Sequence, residues 1–187
     1  MGFTLKPVTG TQLIGREEIV QTLLKELSNT KSDTDYALYG RRRVGKTSVL
    51  REMERRLRTE KNIVIVYLSL WQIFPFTLKT FLERLIVTIL ESYHEKLSLK
   101  HAISDLMKTP AAMLKTILEG IAISATLRDD LIFTLSFKNQ PEVDYSKLFE
   151  KAFSLPETLA KDTNTKCVLI LDEFPSLLEF KDGLSLV

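Results

Sequence analysis

Gly40-Arg41-Arg42-Arg43-Val44-Gly45-Lys46-Thr47 fits the spacing G-x-x-x-x-G-K-[ST]. A loop of this spacing wraps a polyphosphate with its backbone N–H groups turned inward, and its two glycines permit the tight path. Lys46 then sets a point charge near the terminal phosphates, and the Thr47 hydroxyl is placed to ligate Mg²⁺. A helix opening at the loop adds the positive end of its dipole. Tyr36-Ala37-Leu38-Tyr39 predicts a short strand entering the loop. Beyond it, Val49, Leu50, Met53 and Leu57 fall on one helix face, with Glu52/Arg56 and Glu54/Arg58 as i,i+4 pairs on the other. Arg41, Arg42 and Arg43 occupy variable loop positions, so their side chains are expected to point outward. They read either as a solvated basic loop or as a contact for a neighbouring subunit or nucleic acid.

The chain of 187 residues is the size of one domain and long enough to bury a core. A 44% hydrophobic and 27% charged composition excludes disordered, collagenous and disulfide-scaffold classes. The net charge of +2 is too small to argue for nucleic acid by itself. Cys167 is the single cysteine, which excludes an internal disulfide and fits a reducing, cytoplasmic compartment. It starts an apolar run and reads as a small buried hydrophobe. The sequence shows neither a signal peptide nor an apolar run long enough to span a membrane.

Upstream of the loop, Ile19, Val20, Leu23, Leu24 and Leu27 line one face of a helix whose first turn holds Glu17 and Glu18. Downstream, Asn62 to Leu68 is short, apolar and β-branched, as in a strand buried on both faces of a parallel sheet. Strand, loop, helix and strand in this order predict an α/β fold with a right-handed crossover. An insert follows, from about residue 69 to 166. Thr80 and Glu83 have capping-box spacing, and Phe81 through Tyr93 keep a helical period. Thr109, Pro110 and Gly120 bracket a second helix. His94 and His101 lack companion ligands and read as solvated. Two period-two runs, Ile121 to Leu127 and Phe133 to Phe137, flank Arg128-Asp129-Asp130 and predict a β-hairpin. Asp144 is placed to cap a further helix, which Pro156 is expected to interrupt or restart.

Cys167-Val168-Leu169-Ile170-Leu171-Asp172-Glu173 reads as a buried strand ending in two acids. Downstream of a phosphate loop, Asp172 is placed to hold Mg²⁺ through its water shell and Glu173 to polarise an attacking water. Neither N-K-x-D nor D-x-x-G is found where a guanine-nucleotide protein would carry it, and L-S-G-G-Q is missing.

Ile14-Gly15-Arg16-Glu17, Tyr39 to Ser48 and Leu169 to Phe174 together resemble the archaeal-type AAA+ ATPases, near the origin-initiator and STAND branches. The similarity runs from about Leu13 to the C-terminus as one ATPase domain, residues 1–187, with the helical and hairpin insert inside it. It implies a P-loop NTPase core of three layers, αβα, and an ATP site with Gly40 to Ser48 as Walker A. Asp172 and Glu173 are then Walker B, and Ile14, Gly15 and Arg16 lie against the adenine. In that family a sensor strand, an arginine finger and a lid follow Walker B, yet only 14 residues follow Glu173. The expectation is therefore a sheet incomplete at the C-terminus, filled by a missing C-terminal region or by a protein partner. The activity implied is Mg²⁺-dependent ATP hydrolysis by a switch whose nucleotide state controls a protein partner, a further copy of the chain or DNA. The alternative is a nucleotide-binding module without efficient hydrolysis.

Overall fold

The computed structural model describes residues 6–97, 121–127, 131–137 and 145–180. In chain order these form α1 (Glu17–Ser28), α2 (Lys46–Leu57), β1 (Ile63–Ser69), α3 (Leu78–Leu97), β2 (Ile121–Leu127), β3 (Leu131–Phe137), α4 (Tyr145–Thr163) and β4 (Lys166–Asp172). The strands pair in two sets. β1 and β4 run parallel, with Ile63 opposite Lys166 and Ser69 opposite Asp172. β2 and β3 form the antiparallel hairpin that their alternation predicts, and β3 runs alongside α3.

The period of two along β1 and β4 divides the core. Val64, Val66 and Leu68, with Cys167, Leu169 and Leu171, pack against α3 and α4. Ile63, Ile65 and Tyr67, with Val168 and Ile170, face α1 and α2. Helices thus cover both faces of the parallel pair, which is why both strands are apolar at nearly every position. The result is an α/β arrangement, with α2 and the loop before it on one face.

Three local expectations are corrected. Tyr36 to Tyr39 forms no strand: β1 and β4 pair with each other, neither takes up this segment, and Tyr39 is 92% exposed. Only Leu38 of the four packs on the α1/α2 core, and β propensity without a ladder partner makes no strand. The capping box at Thr80 is not used either. Thr77 precedes α3, and its Oγ1 accepts the Thr80 N–H at 3.1 Å, so the cap lies three residues earlier. Pro156 does not interrupt α4, which continues from Tyr145 to Thr163. An interior proline costs about 3 kcal/mol. Burial of Leu148, Leu155 and Leu159 on one face of α4 contributes roughly 1.5–3 kcal/mol each, which outweighs it. Glu52, on the helix face opposite the apolar one, is fully buried.

The expected helix from Thr109 to Gly120, His101, the hairpin turn and the Asp144 cap lie outside the described residues.

Candidate nucleotide site

The alternation of β4 decides where its terminal acid goes. Val168, Ile170 and Asp172 share the face that meets α2, so Asp172 ends that row beside the first turn of the helix. There the Thr47 hydroxyl donates to Asp172 Oδ1 at 3.3 Å, across 125 positions of sequence. Asp172 is buried, 6% exposed, and a buried carboxylate requires partners. It has two more: the Glu173 N–H donates to Oδ1 at 3.0 Å and the Tyr67 hydroxyl to Oδ2 at 2.7 Å. Glu173 adopts a left-handed backbone, φ 56° and ψ 38°, at a cost of about 1–2 kcal/mol for a residue with a Cβ. This turn ends β4 and leads into a 3-10 turn over Phe174–Glu179, where the Ser176 N–H donates to the Glu173 carbonyl.

The loop owes its path to its glycines. Gly45 precedes α2 with φ 97°, a region closed to most side chains. At Gly40 the constraint is contact, since a Cβ there would lie 2.9 Å from Val44 Cγ1. Lys46 donates from Nζ to the carbonyls of Gly40 at 3.0 Å and Arg41 at 3.3 Å, so its ammonium spans the loop. Arg41, Arg42, Arg43 and Val44 are exposed, and the Arg42 guanidinium lies 5.6 Å from the centre of the exposed Trp71 ring.

The segment before α1 reaches this loop. Arg16 donates from Nη2 to the Val44 carbonyl at 3.1 Å, Gly15 turns the chain with φ 71°, and Ile14 is 68% exposed. Ser48 is buried, and its Oγ accepts the Val8 N–H at 3.1 Å, which ties it to the N-terminal segment. Thr47 and Asp172 are thus brought together and Arg16 is brought to the loop, whereas Ser48 is engaged elsewhere.

Three residues of this region escape a reading by motif. Tyr67 sits between the Asp172 carboxylate and the Arg51 guanidinium, which lies 3.6 Å over its ring. Burial and the neighbouring carboxylate push its phenol far above the ordinary value of 10.0, so it is a donor at any working pH. Arg51 lies one turn after Thr47, and that i,i+4 spacing was the available signal. Glu52 accepts the Gly10 N–H at 2.8 Å, two bonds from Arg55 at 2.9 and 2.7 Å, and Arg56 Nε at 2.6 Å. The Arg55 hydrogen bonds above all, then Gly10 and Arg56, hold its carboxyl down to about 2 against the cost of burial. Arg56 continues the network to Glu17 with two bonds of 2.8 Å, which hold that carboxyl at about 2 as well.

Among the described residues, no three His, Cys, Asp or Glu side chains gather into a metal cage. The donors beside the loop are the Thr47 hydroxyl and the Asp172 carboxylate, hard oxygens of the kind that suit Mg²⁺ when phosphates and water complete the shell. Cys167 is half-buried, and burial raises its thiol to about 11, which leaves it unreactive. No described helix is long and apolar enough to cross a membrane.

No curated protein and no solved structure matches the chain. A family model described as an ATPase domain predominantly from Archaea matches residues 13–187, a span that takes in Ile14 to Arg16, the glycine loop and the Asp172-Glu173 pair, and the chain belongs to that family.

Proposed function

We propose that this chain is an ATP-binding, Mg²⁺-dependent ATP-hydrolysing switch of AAA+ type, built on a three-layer αβα core. Membership of an ATPase-domain family supports the nucleotide. The observation that carries the reading to particular residues is the 3.3 Å contact between Thr47 and Asp172, because each is one half of a site for a phosphate-bound cation.

In this reading the backbone of Gly40 to Thr47, with the first turn of α2 through Ser48, cradles the phosphates. Lys46 exchanges its loop carbonyls for phosphate oxygens. Thr47 and Asp172 hold the metal, which when bound neutralises charge on the phosphates. Glu173 orients the attacking water and accepts its proton. Ile14, Gly15 and Arg16 flank the adenine, and the Arg16 bond to Val44 ties base recognition to the loop. The lone thiol supports a reducing, cytoplasmic setting. The exposed arginines at 41 to 43 offer a surface for DNA or a neighbouring subunit.

One observation favours a second reading, a nucleotide-binding module with little turnover. Tyr36 to Tyr39 forms no strand and has no ladder to β1 or β4, so the segment that should fix the loop against Asp172 is not locked in the sheet. A strand supplied by a further region or a protein partner would complete it.

Turnover of ATP by the wild type and by Glu173→Gln, alone and with added DNA, decides between the readings. The switch predicts Mg²⁺-dependent hydrolysis, lost in Glu173→Gln with ATP binding intact. Binding with no turnover in either protein favours the module, and no binding removes both. A salt dependence of DNA binding that is unchanged when Arg41, Arg42 and Arg43 are all replaced by Ala excludes DNA at that surface.

A further inference from the structure

Asp172 presents two oxygens, and they are not equivalent. Among the described residues, Oδ1 receives the Thr47 hydroxyl and the Glu173 N–H, while Oδ2 receives only the phenol of Tyr67, at the shortest of the three distances, 2.7 Å. Tyr67 belongs to β1 on the face toward α2, two positions before Ser69, the residue opposite Asp172. A phenylalanine would fill the same apolar space, so the hydroxyl is not there for packing. Above the ring lies Arg51, 3.6 Å from its centre, and Arg51 is itself held by Glu54 through a 2.8 Å ion pair. Thr47, Arg51 and Glu54 all belong to α2. The contacts therefore close a ring: Glu54 to Arg51, Arg51 to Tyr67, Tyr67 to Asp172, Asp172 to Thr47, and back along the helix.

We propose that Tyr67 is a positioning residue for the metal: its hydroxyl occupies Oδ2 and fixes the carboxylate so that Oδ1 faces Thr47, while Arg51 clamps the ring. This rests on the reading of Thr47 and Asp172 as the residues that hold the cation. Removing the hydroxyl frees the carboxylate to rotate and leaves Oδ2 without its donor. The loss falls on the metal rather than on the phosphate cradle, because Lys46 and the loop backbone touch neither Tyr67 nor Oδ2 in the hydrogen bonds they make.

The test is a binding titration with a fluorescent ATP analogue on the full chain, first in EDTA and then across a range of Mg²⁺ concentrations. In EDTA, Tyr67→Phe is expected to match the wild type within about twofold, since the cradle is intact. The Mg²⁺ concentration at half-maximal tightening should rise about tenfold or more, the usual cost of losing a hydrogen bond that orients a metal ligand. In an Asp172→Asn background, Tyr67→Phe should shift it no further. An unchanged Mg²⁺ midpoint in Tyr67→Phe, or a full shift that persists beside Asp172→Asn, overturns the assignment. If Tyr67→Phe loses its affinity in EDTA as well, Arg51→Met carries the test, because it unclamps the ring from the surface. A severalfold rise in the midpoint supports the clamp, and no rise overturns it. Wild-type protein that binds the analogue without any Mg²⁺-dependent tightening defeats the metal site itself, and that failure is visible before any variant is made.

Discussion

Asp172 and Glu173 are adjacent in sequence yet are placed differently, because a parallel strand ends between them. Asp172 keeps the strand's alternation and turns toward Thr47, whereas Glu173 leaves it through a left-handed turn. Substitution should separate the two. Glu173→Gln is expected to leave ATP affinity unchanged and to lower turnover at least about 100-fold, the lower range for a lost general base, as measured by phosphate release. Equal turnover in the variant would remove Glu173 from that role. Gly45 carries a different constraint, since φ 97° is strained for any L side chain whatever the space around it. Gly45→Ala should lower stability by roughly 1–3 kcal/mol in chemical denaturation and weaken nucleotide binding with it, because the same turn starts α2. A fully stable variant would mean that the loop takes another path.

At the scale of elements, the N-terminal segment is fastened to α2 at two points, Val8 to Ser48 and Gly10 to Glu52, and to the loop before it through Arg16 and Val44. Glu52 is the deepest of these anchors. Its carboxyl is held at about 2, below the ordinary 4.5, so its contribution to stability is complete above about pH 4.5 and fades as the pH falls toward 2. Glu52→Gln should cost roughly 2–3 kcal/mol at neutral pH and flatten that acid limb in denaturation curves recorded from pH 7 to 2. An unaltered acid limb would place the loss on other carboxylates. Sequence could not disclose this burial, because Glu52 and Arg56 at i,i+4 give one pattern whether a helix face is wet or covered by a distant segment. The start of α3 is ambiguous in sequence for a related reason. Thr77 and Thr80 both have capping side chains within one turn, and only the Thr80 N–H bonding back to Thr77 distinguishes them. Thr77→Ala should therefore cost about 1 kcal/mol and Thr80→Ala less. What was legible came from features that do not depend on distant partners: the loop spacing, the helical periods of α1 to α3, the hairpin alternation and the apolar run of β4. Tyr36 to Tyr39 marks the limit, since a strand is a property of two segments and only one of them is in that stretch.

For the molecule as a whole, the parallel pair β1 and β4 places the carboxylate, and α2 places the hydroxyl and the glycine loop on the same face. The site is thus a product of the fold rather than of any one motif, and its ligand should stabilise that fold. ATP with Mg²⁺ at 100 times its dissociation constant is expected to add about 2.7 kcal/mol, which raises the melting temperature by roughly 5–10 °C for a chain of this size. ATP in EDTA at the same concentration should add less, because Asp172 then contributes nothing to the complex. Whether the glycine loop is an ATP site is decided by equilibrium titration of wild-type protein and Lys46→Ala with ATP in the presence of Mg²⁺. Saturable binding by the wild type is expected, with an affinity at least about tenfold lower for Lys46→Ala, the effect of losing a charge-assisted bond to phosphate. No binding by the wild type, or equal affinity in the two proteins, would contradict it.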